Sequence, residues 1–472
     1  MTMRKEFATS LCCAAVSAGF LLLASTGTTT RVGAAGPEAK DPGVRAGSAG
    51  AGAPLPALNA DQLAFFQDGL SRFLAIDSVG GTIAGETDSG LGPTFNSNSC
   101  GSCHAQPATG GTSPSTNPQV AAATDSGATN SIPDFISASG PVREVRFPFH
   151  LNANGTVSQT PDGGVHDLFT IAGRTDAPGC DMAQPDFAQM ERLRNQIFRI
   201  PTPLFGAGLI ENITEATIYA NMNADTALKQ SMGIAGHPNI SGNDGTITRF
   251  GWKAQNKSVT IFAGEAYNVE MGVTNELFPD ERSLPPASCL FNPTPEDTTN
   301  FPASGAAILS DVVAFSNFMR FLAPPVPSTQ GIPGNPSPQS IANGQRLFAQ
   351  VHCSLCHTPT LQTGTSSFAA GLSNQPATLY SDLLVHHMGS GLADNISQGA
   401  AGPDEFRTAP LWGVGQRLFF LHDGRATSAN GGLLTAIQDH AGSGSEANSV
   451  VTLFEQLTSQ EQQDLLNFLR SL

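Results

Sequence analysis

The sequence predicts a mainly α-helical fold of two domains, the first enlarged by insertions that contain some β-strand. Three observations carry this expectation. The runs Cys100-Gly101-Ser102-Cys103-His104 and Cys353-Ser354-Leu355-Cys356-His357 repeat one pattern at distant points of a 472-residue chain. A helix-spaced set of apolar residues (Leu63, Phe66, Leu70, Phe73) precedes the first run, and a helix predicted over 339–351 leads into the second. Residues 142–169 alternate as strands do, broken by the turn signals Asn152-Ala153-Asn154-Gly155 and Pro161-Asp162-Gly163-Gly164.

The elements follow in order. Residues 1–35 read as an export signal: Arg4 and Lys5 form a charged start, residues 11–24 are apolar but short for a membrane anchor, and Val32-Gly33-Ala34-Ala35 offers small residues for cleavage. Residues 36–55, rich in Gly, Ala and Pro, are expected to be disordered. The first domain is placed at 56–325, with helices over 61–76, 187–199, 214–222 and 304–322, the last stopped by Ala323-Pro324-Pro325. Within it, 106–140 is rich in Thr, Ser, Gly and Pro and is expected to be a surface insertion. A Pro-rich linker over 326–338 leads to the second domain, 339–472. Its closing helix over 460–472 is headed by the capping box Thr458-Ser459-Gln460-Glu461.

Cys-x-x-Cys-His is the attachment signature of c-type haem: two thiols add across the porphyrin vinyls and the adjoining His ligates the iron. A thioredoxin-like redox pair would need a βαβ setting, and a zinc ribbon would hold its Cys pairs within about 15–20 residues of each other. Neither explains a His after the second Cys in both runs. Two covalently bound haem c groups are therefore expected, attached through Cys100, Cys103, Cys353 and Cys356, with His104 and His357 as iron ligands. A helix before the motif and another at the domain end is the cytochrome c plan, so both domains are read as cytochrome c-like. Haem attachment takes place outside the cytoplasm, which agrees with the export signal and implies a periplasmic protein. Cys12 and Cys13 fall in that signal, so Cys180 and Cys289 are left over, an even remainder that suggests a disulfide in an oxidising compartment.

The chain is long enough, and at 40% apolar residues rich enough, for two cores. A formal charge of −16 argues against nucleic acid and anionic membrane surfaces as partners, and no segment after the signal is apolar enough to span a bilayer. The acidic surface suits either a basic redox partner or simple solubility.

Further runs converge on one family. Gly90-Leu91-Gly92-Pro93-Thr94-Phe95-Asn96, Arg249-Phe250-Gly251-Trp252-Lys253-Ala254, Glu270-Met271-Gly272-Val273-Thr274 and Phe420-Leu421-His422-Asp423-Gly424-Arg425 resemble the di-haem oxidoreductases. These are relatives of the bacterial di-haem cytochrome c peroxidases and of the tryptophan-modifying enzyme MauG. The resemblance covers most of the chain from about residue 60, although residues 105–140 match no part of the pattern.

The resemblance implies a peroxidase-like enzyme that reduces hydrogen peroxide at the first haem with electrons passed through the second, supplied by a small periplasmic redox protein. It makes Glu270 the acid–base glutamate and Trp252, one of two tryptophans, an electron relay between the haems. It puts the sixth ligand of the second haem on the helix after the His-Asp-Gly-Arg run, where this chain offers His440 in place of the family's Met or Tyr. Met388, His386 and His387 stay beside it as alternatives. Arg407 and Arg425 suit haem propionates, because guanidinium binds carboxylate bidentately. Calcium between the haems is implied as well. Two other readings share these motifs: a di-haem electron carrier, and an oxidase of a protein side chain, a thiol or iron.

Overall fold

The two helices that lead into the Cys-x-x-Cys-His runs set the architecture. In a computed structural model, which describes residues 38–86, 88–299 and 309–472, these helices span Ala60–Phe73 and Pro338–Gln350. The export signal expected over 1–35 and residues 304–308 of an expected helix lie outside the described residues. Each helix starts on a side-chain cap. Asn59 accepts from Gln62 N while Gln62 reaches back to Asn59 N, and Ser337 accepts from Ser340 N with Pro338 in the first turn.

Each then crosses a later helix at a glycine. A Cβ on Gly69 would lie 2.1 Å from the Ala314 carbonyl in the Asp311–Phe321 helix, and one on Gly344 would lie 1.9 Å from the Asp464 carbonyl in the Ser459–Ser471 helix. Only a residue without a side chain allows this approach. In both cases a phenylalanine one turn on fills the crossing. Phe73 packs on Phe318 and Phe315, and Phe348 on Phe468 and Tyr380, with centroids 4.8–6.1 Å apart. The same crossing thus occurs once beside each motif, and the chain is mainly helical around it.

Two hydrophobic cores result. The first gathers Phe66, Phe73, Phe95, Phe169, Ile218, Phe318 and Trp412, and draws in Leu361, Leu372 and Leu379 from beyond the second motif. The second gathers Leu347, Phe348, Phe420, Phe454 and the apolar face of the closing helix. Residues 39–472 form one compact unit. The sheets among the described residues are two-stranded and antiparallel. Glu144–Arg146 pairs with Ile197–Arg199 in the register Glu144↔Arg199, which sets opposite charges across from one another. Cys180 and Cys289 form the disulfide expected from their count.

Three expectations are corrected. Residues 38–55 are an extended strap, not a disordered tail: Arg45 N donates to Gly415 O, Leu55 N to Phe321 O, and Asp41 pairs bidentately with Arg470 at 2.6 and 2.7 Å. Composition reads only local preference, and these contacts are all long-range. Residues 106–140 are not a surface insertion, because Ser113, Gln119, Ala122, Ala123 and Ile136 are buried and hydrogen bonds satisfy their polar groups. The helix expected over 187–199 stops at Arg192, and Ile197–Arg199 is drawn into the strand pair opposite Glu144–Arg146. Among the described residues no helix is long and apolar enough to cross a membrane.

Candidate active site

The first Cys-x-x-Cys-His run forms one wall of a cavity with about 1130 Å³ of space between its walls, part of it open to solvent. Cys100–Cys103 is a single helical turn, so both thiols and the following imidazole are presented together. His104 Nδ1–H donates to Gly111 O at 2.9 Å, and burial lowers its pKa to about 4. The ring is therefore neutral and keeps its lone pair on Nε2, which is the form that ligates a metal. Among the described residues it is the one imidazole lining this cavity.

Glu270 lines the same cavity from the end of the Val259–Met271 helix. Its carbonyl accepts from Asn96 N and Ser97 N, and its carboxyl accepts from Asn96 Nδ2 at 2.9 Å, so the helix end is tied to the run just before Cys100. A second carboxyl, Glu144, lies within hydrogen-bond reach of it. Burial pushes Glu144 up, but Arg146 and Arg199 outweigh burial and hold it below the usual carboxylate range. Burial and the neighbouring Glu144 charge push Glu270 well above that range. Glu144 and Arg146 escaped sequence reasoning. Their one signal was i, i+2 spacing on a strand, which aims both at one face.

The second run borders a cavity of about 1470 Å³. His357 Nδ1–H donates to Tyr380 O at 3.0 Å, and His440 Nδ1–H donates to Ala436 O at 2.6 Å. The two rings face each other with centroids 6.5 Å apart. Two imidazoles bonded to opposite sides of one metal at about 2 Å would have centroids about 6 Å apart. Burial lowers both pKa values, that of His357 to about 4.

The alternatives at 386–388 are placed differently. Both His386 nitrogens are held by carboxylates, Glu446 at 2.7 Å and Asp382 at 3.0 Å. Burial opposes its charge, but Cys356 and Asp382 raise its pKa well above the usual value. His387 is exposed and bonded to Asp404 and Glu405, while Met388 borders the cavity.

Trp252 lines both cavities and the small space between them. Its Nε1–H donates to Ile200 O at 2.9 Å, and its carbonyl accepts from Arg407 N, so backbone on either side fixes the ring. Next to it, Lys253 is fully buried and shares Asp394 with Arg199: Nζ–Oδ1 3.0 Å, guanidinium–Oδ2 2.6 Å. Trp412 is buried in the first core and closes the same intervening space.

The two predicted propionate partners separate. Arg407 is buried at the second cavity, whereas Arg425 is exposed, paired to Asp423, and lines neither cavity. Arg417, which no motif signalled, stands beside Arg407. Arg407 donates to Gly251 O and Arg417 to Pro410 O, and burial lowers each pKa to about 10. Two buried cations bonded only to neutral carbonyls call for an anionic group in that cavity. Haem, with its propionates, fits the donors, the opposed imidazoles and the thiols present.

A model of the family described as "di-haem oxidoreductase, putative peroxidase" matches residues 160–472, beginning after the first motif. Among solved structures, a MauG-like protein associated with microbial copper homeostasis is 14% identical. It has a TM-score of 0.26, covering 55% of this chain and 89% of that one. Hydrazine synthase of Kuenenia stuttgartiensis is 17% identical, with a TM-score of 0.21 over 35% of this chain. The match spans 57% of the hydrazine synthase chain. No curated protein matches.

Proposed function

This chain belongs to the di-haem oxidoreductase family, and we propose that within it the protein reduces hydrogen peroxide at the first cavity in the periplasm. Electrons come from a small redox protein by way of the second cavity. The observation that carries this reading is the asymmetry of the two cavities: the second has two opposed imidazoles, the first has one imidazole and a pair of carboxyls. Haem iron with a free axial position supplies the electron chemistry that cleaves an O–O bond, and iron held by two imidazoles is suited to electron transfer.

The chain's own residues do the rest. Cys100 and Cys103, and Cys353 and Cys356, hold the two groups through thioether bonds, while Arg407 and Arg417 take propionates at the second. His104, His357 and His440 are kept neutral and aimed by their Nδ1–H bonds to backbone carbonyls. Glu270 handles the peroxide protons from a buried wall of the first cavity. Trp252, fixed between both cavities, offers the aromatic path for electrons.

EPR of the purified ferric protein, followed by mixing with peroxide, tests the reading. One high-spin and one low-spin signal with rapid peroxide consumption is the expected result. Two low-spin signals and no reaction would make the chain an electron carrier instead.

A further inference from the structure

We propose that the acid–base work at the first cavity is divided between two carboxyl groups. Glu144 is the base that takes a proton from peroxide, and Glu270 is the acid that returns one to the leaving oxygen. This deepens the peroxidase reading and rests on it. The inference starts from geometry. Both carboxyls line the cavity, from different elements, within hydrogen-bond reach of one another. Two adjacent buried carboxylates do not both stay ionised, so one proton is held between them.

Their surroundings decide which carries it. Arg146 Nε sits 2.5 Å from Glu144 Oε1, and Arg199 stands opposite Glu144 in the strand register. Glu270 is hydrogen-bonded by one neutral amide, Asn96, and feels Arg282 only at a distance. The remaining charges nearby temper the arginines without reversing the order: Glu265 acts on Arg146 and Asp394 on Arg199. Glu144 is therefore the anion and Glu270 the acid. A glutamate that already holds a proton cannot accept the first one from peroxide, so Glu270 alone does not complete the cycle.

The proton count closes with both. The inner oxygen of HO–OH gives its proton to Glu144, the O–O pair leaves with the outer oxygen, and that oxygen takes the Glu270 proton and departs as water. The haem supplies the two electrons for this cleavage. Transfer of the proton from Glu144 to Glu270 through their shared hydrogen bond restores the starting state. Two electrons from the donor protein and two protons from solvent then release the inner oxygen as the second water.

The test uses the full-length holoprotein and the variants Glu144→Gln, Glu144→Asp and Glu270→Gln, each checked for two haems. In pH-difference infrared spectra, the wild type should show the carbonyl band of a protonated carboxylic acid at neutral pH. Glu270→Gln should lack that band, and in Glu144→Gln it should titrate away at lower pH. Peroxide kcat/KM should fall by about 10²-fold or more in Glu144→Gln, with loss of the acid limb of the pH profile, and Glu144→Asp should restore most of it. If Glu144→Gln does not assemble, a shifted acid limb in Glu144→Asp is the expected sign. Wild-type kcat/KM in a Glu144 variant between about pH 5 and pH 9, in a protein that does consume peroxide, overturns this inference and leaves the peroxidase reading standing. A wild type inert to peroxide overturns both. An infrared band that survives in Glu270→Gln and vanishes in Glu144→Gln overturns the assignment of roles.

Discussion

His357 and His440 face one another across the second cavity at a centroid distance of 6.5 Å, each with its Nδ1–H bonded to a backbone carbonyl. That pairing selects His440 over its neighbours: His386 has no nitrogen left to give, and His387 is turned to solvent. His440→Ala should convert the second haem from low-spin to high-spin in the ferric EPR spectrum while the first haem keeps its signal. An unchanged low-spin signal would transfer the role to Met388.

Glu270→Gln should lower peroxide consumption by about 10²- to 10⁴-fold, the range typical for loss of a positioned proton-transfer group. Haem content, measured as the pyridine haemochrome, should stay at two per chain. Turnover close to wild type would exclude the residue from the reaction.

Trp252→Phe retains an aromatic ring but loses the indole N–H that Ile200 O accepts. Electron exchange between the haems should slow several-fold, and further in Trp252→Ala. Rapid mixing with peroxide, monitored at the second haem's absorption bands, reads this directly. Equal rates in all three proteins would mean that electrons take another path.

The Asp41–Arg470 pair pins the N-terminal strap to the closing helix, with both side chains buried. Burial raises the Asp41 pKa, but hydrogen bonds and charge from Arg470 outweigh it and hold the carboxyl below its ordinary value. The depressed folded-state pKa means that its stabilisation is fully present above about pH 4 and fades as pH falls through the folded value. Asp41→Asn leaves Arg470 buried without its anion and should cost about 3–5 kcal/mol near neutral pH, and progressively less in acid. Urea unfolding at two pH values checks both size and sign. A constant difference across pH would detach the effect from this ionisation.

The Cys180–Cys289 bridge closes a loop with a sequence separation of 109. Replacing both cysteines by Ala should cost about 2–5 kcal/mol of stability without changing either haem spectrum. Altered spectra would give the bridge a part in shaping the sites.

What the sequence made legible follows from how local each signal is. The haem runs, the capped helices at Asn59 and Ser337 and the capping box at Thr458 are written within a few residues, and each stands where its local pattern places it. Glu144, Arg146, Arg199 and Arg417 were invisible because what matters about them is cross-strand register or burial beside a cavity, and neither leaves a mark in neighbouring residues. The strap and the 106–140 segment were misread for the same reason: small and polar residues look loose until distant partners accept their hydrogen bonds. The misplaced Arg425 shows the converse. A motif located the Phe419–Arg425 turn near the second cavity but could not say that its guanidinium would fold back on Asp423.

Asp394 lies beyond the second haem run, yet the cations it neutralises, Arg199 and Lys253, come from the stretch before the Pro-rich connection. Cutting the chain at 326–338 would strand two positive charges in one fragment and a lone carboxylate in the other, each deprived of water and of its counterpart. Neither piece could then be recovered as an autonomous cytochrome, so any effort to recombine or graft one haem unit must carry the other with it.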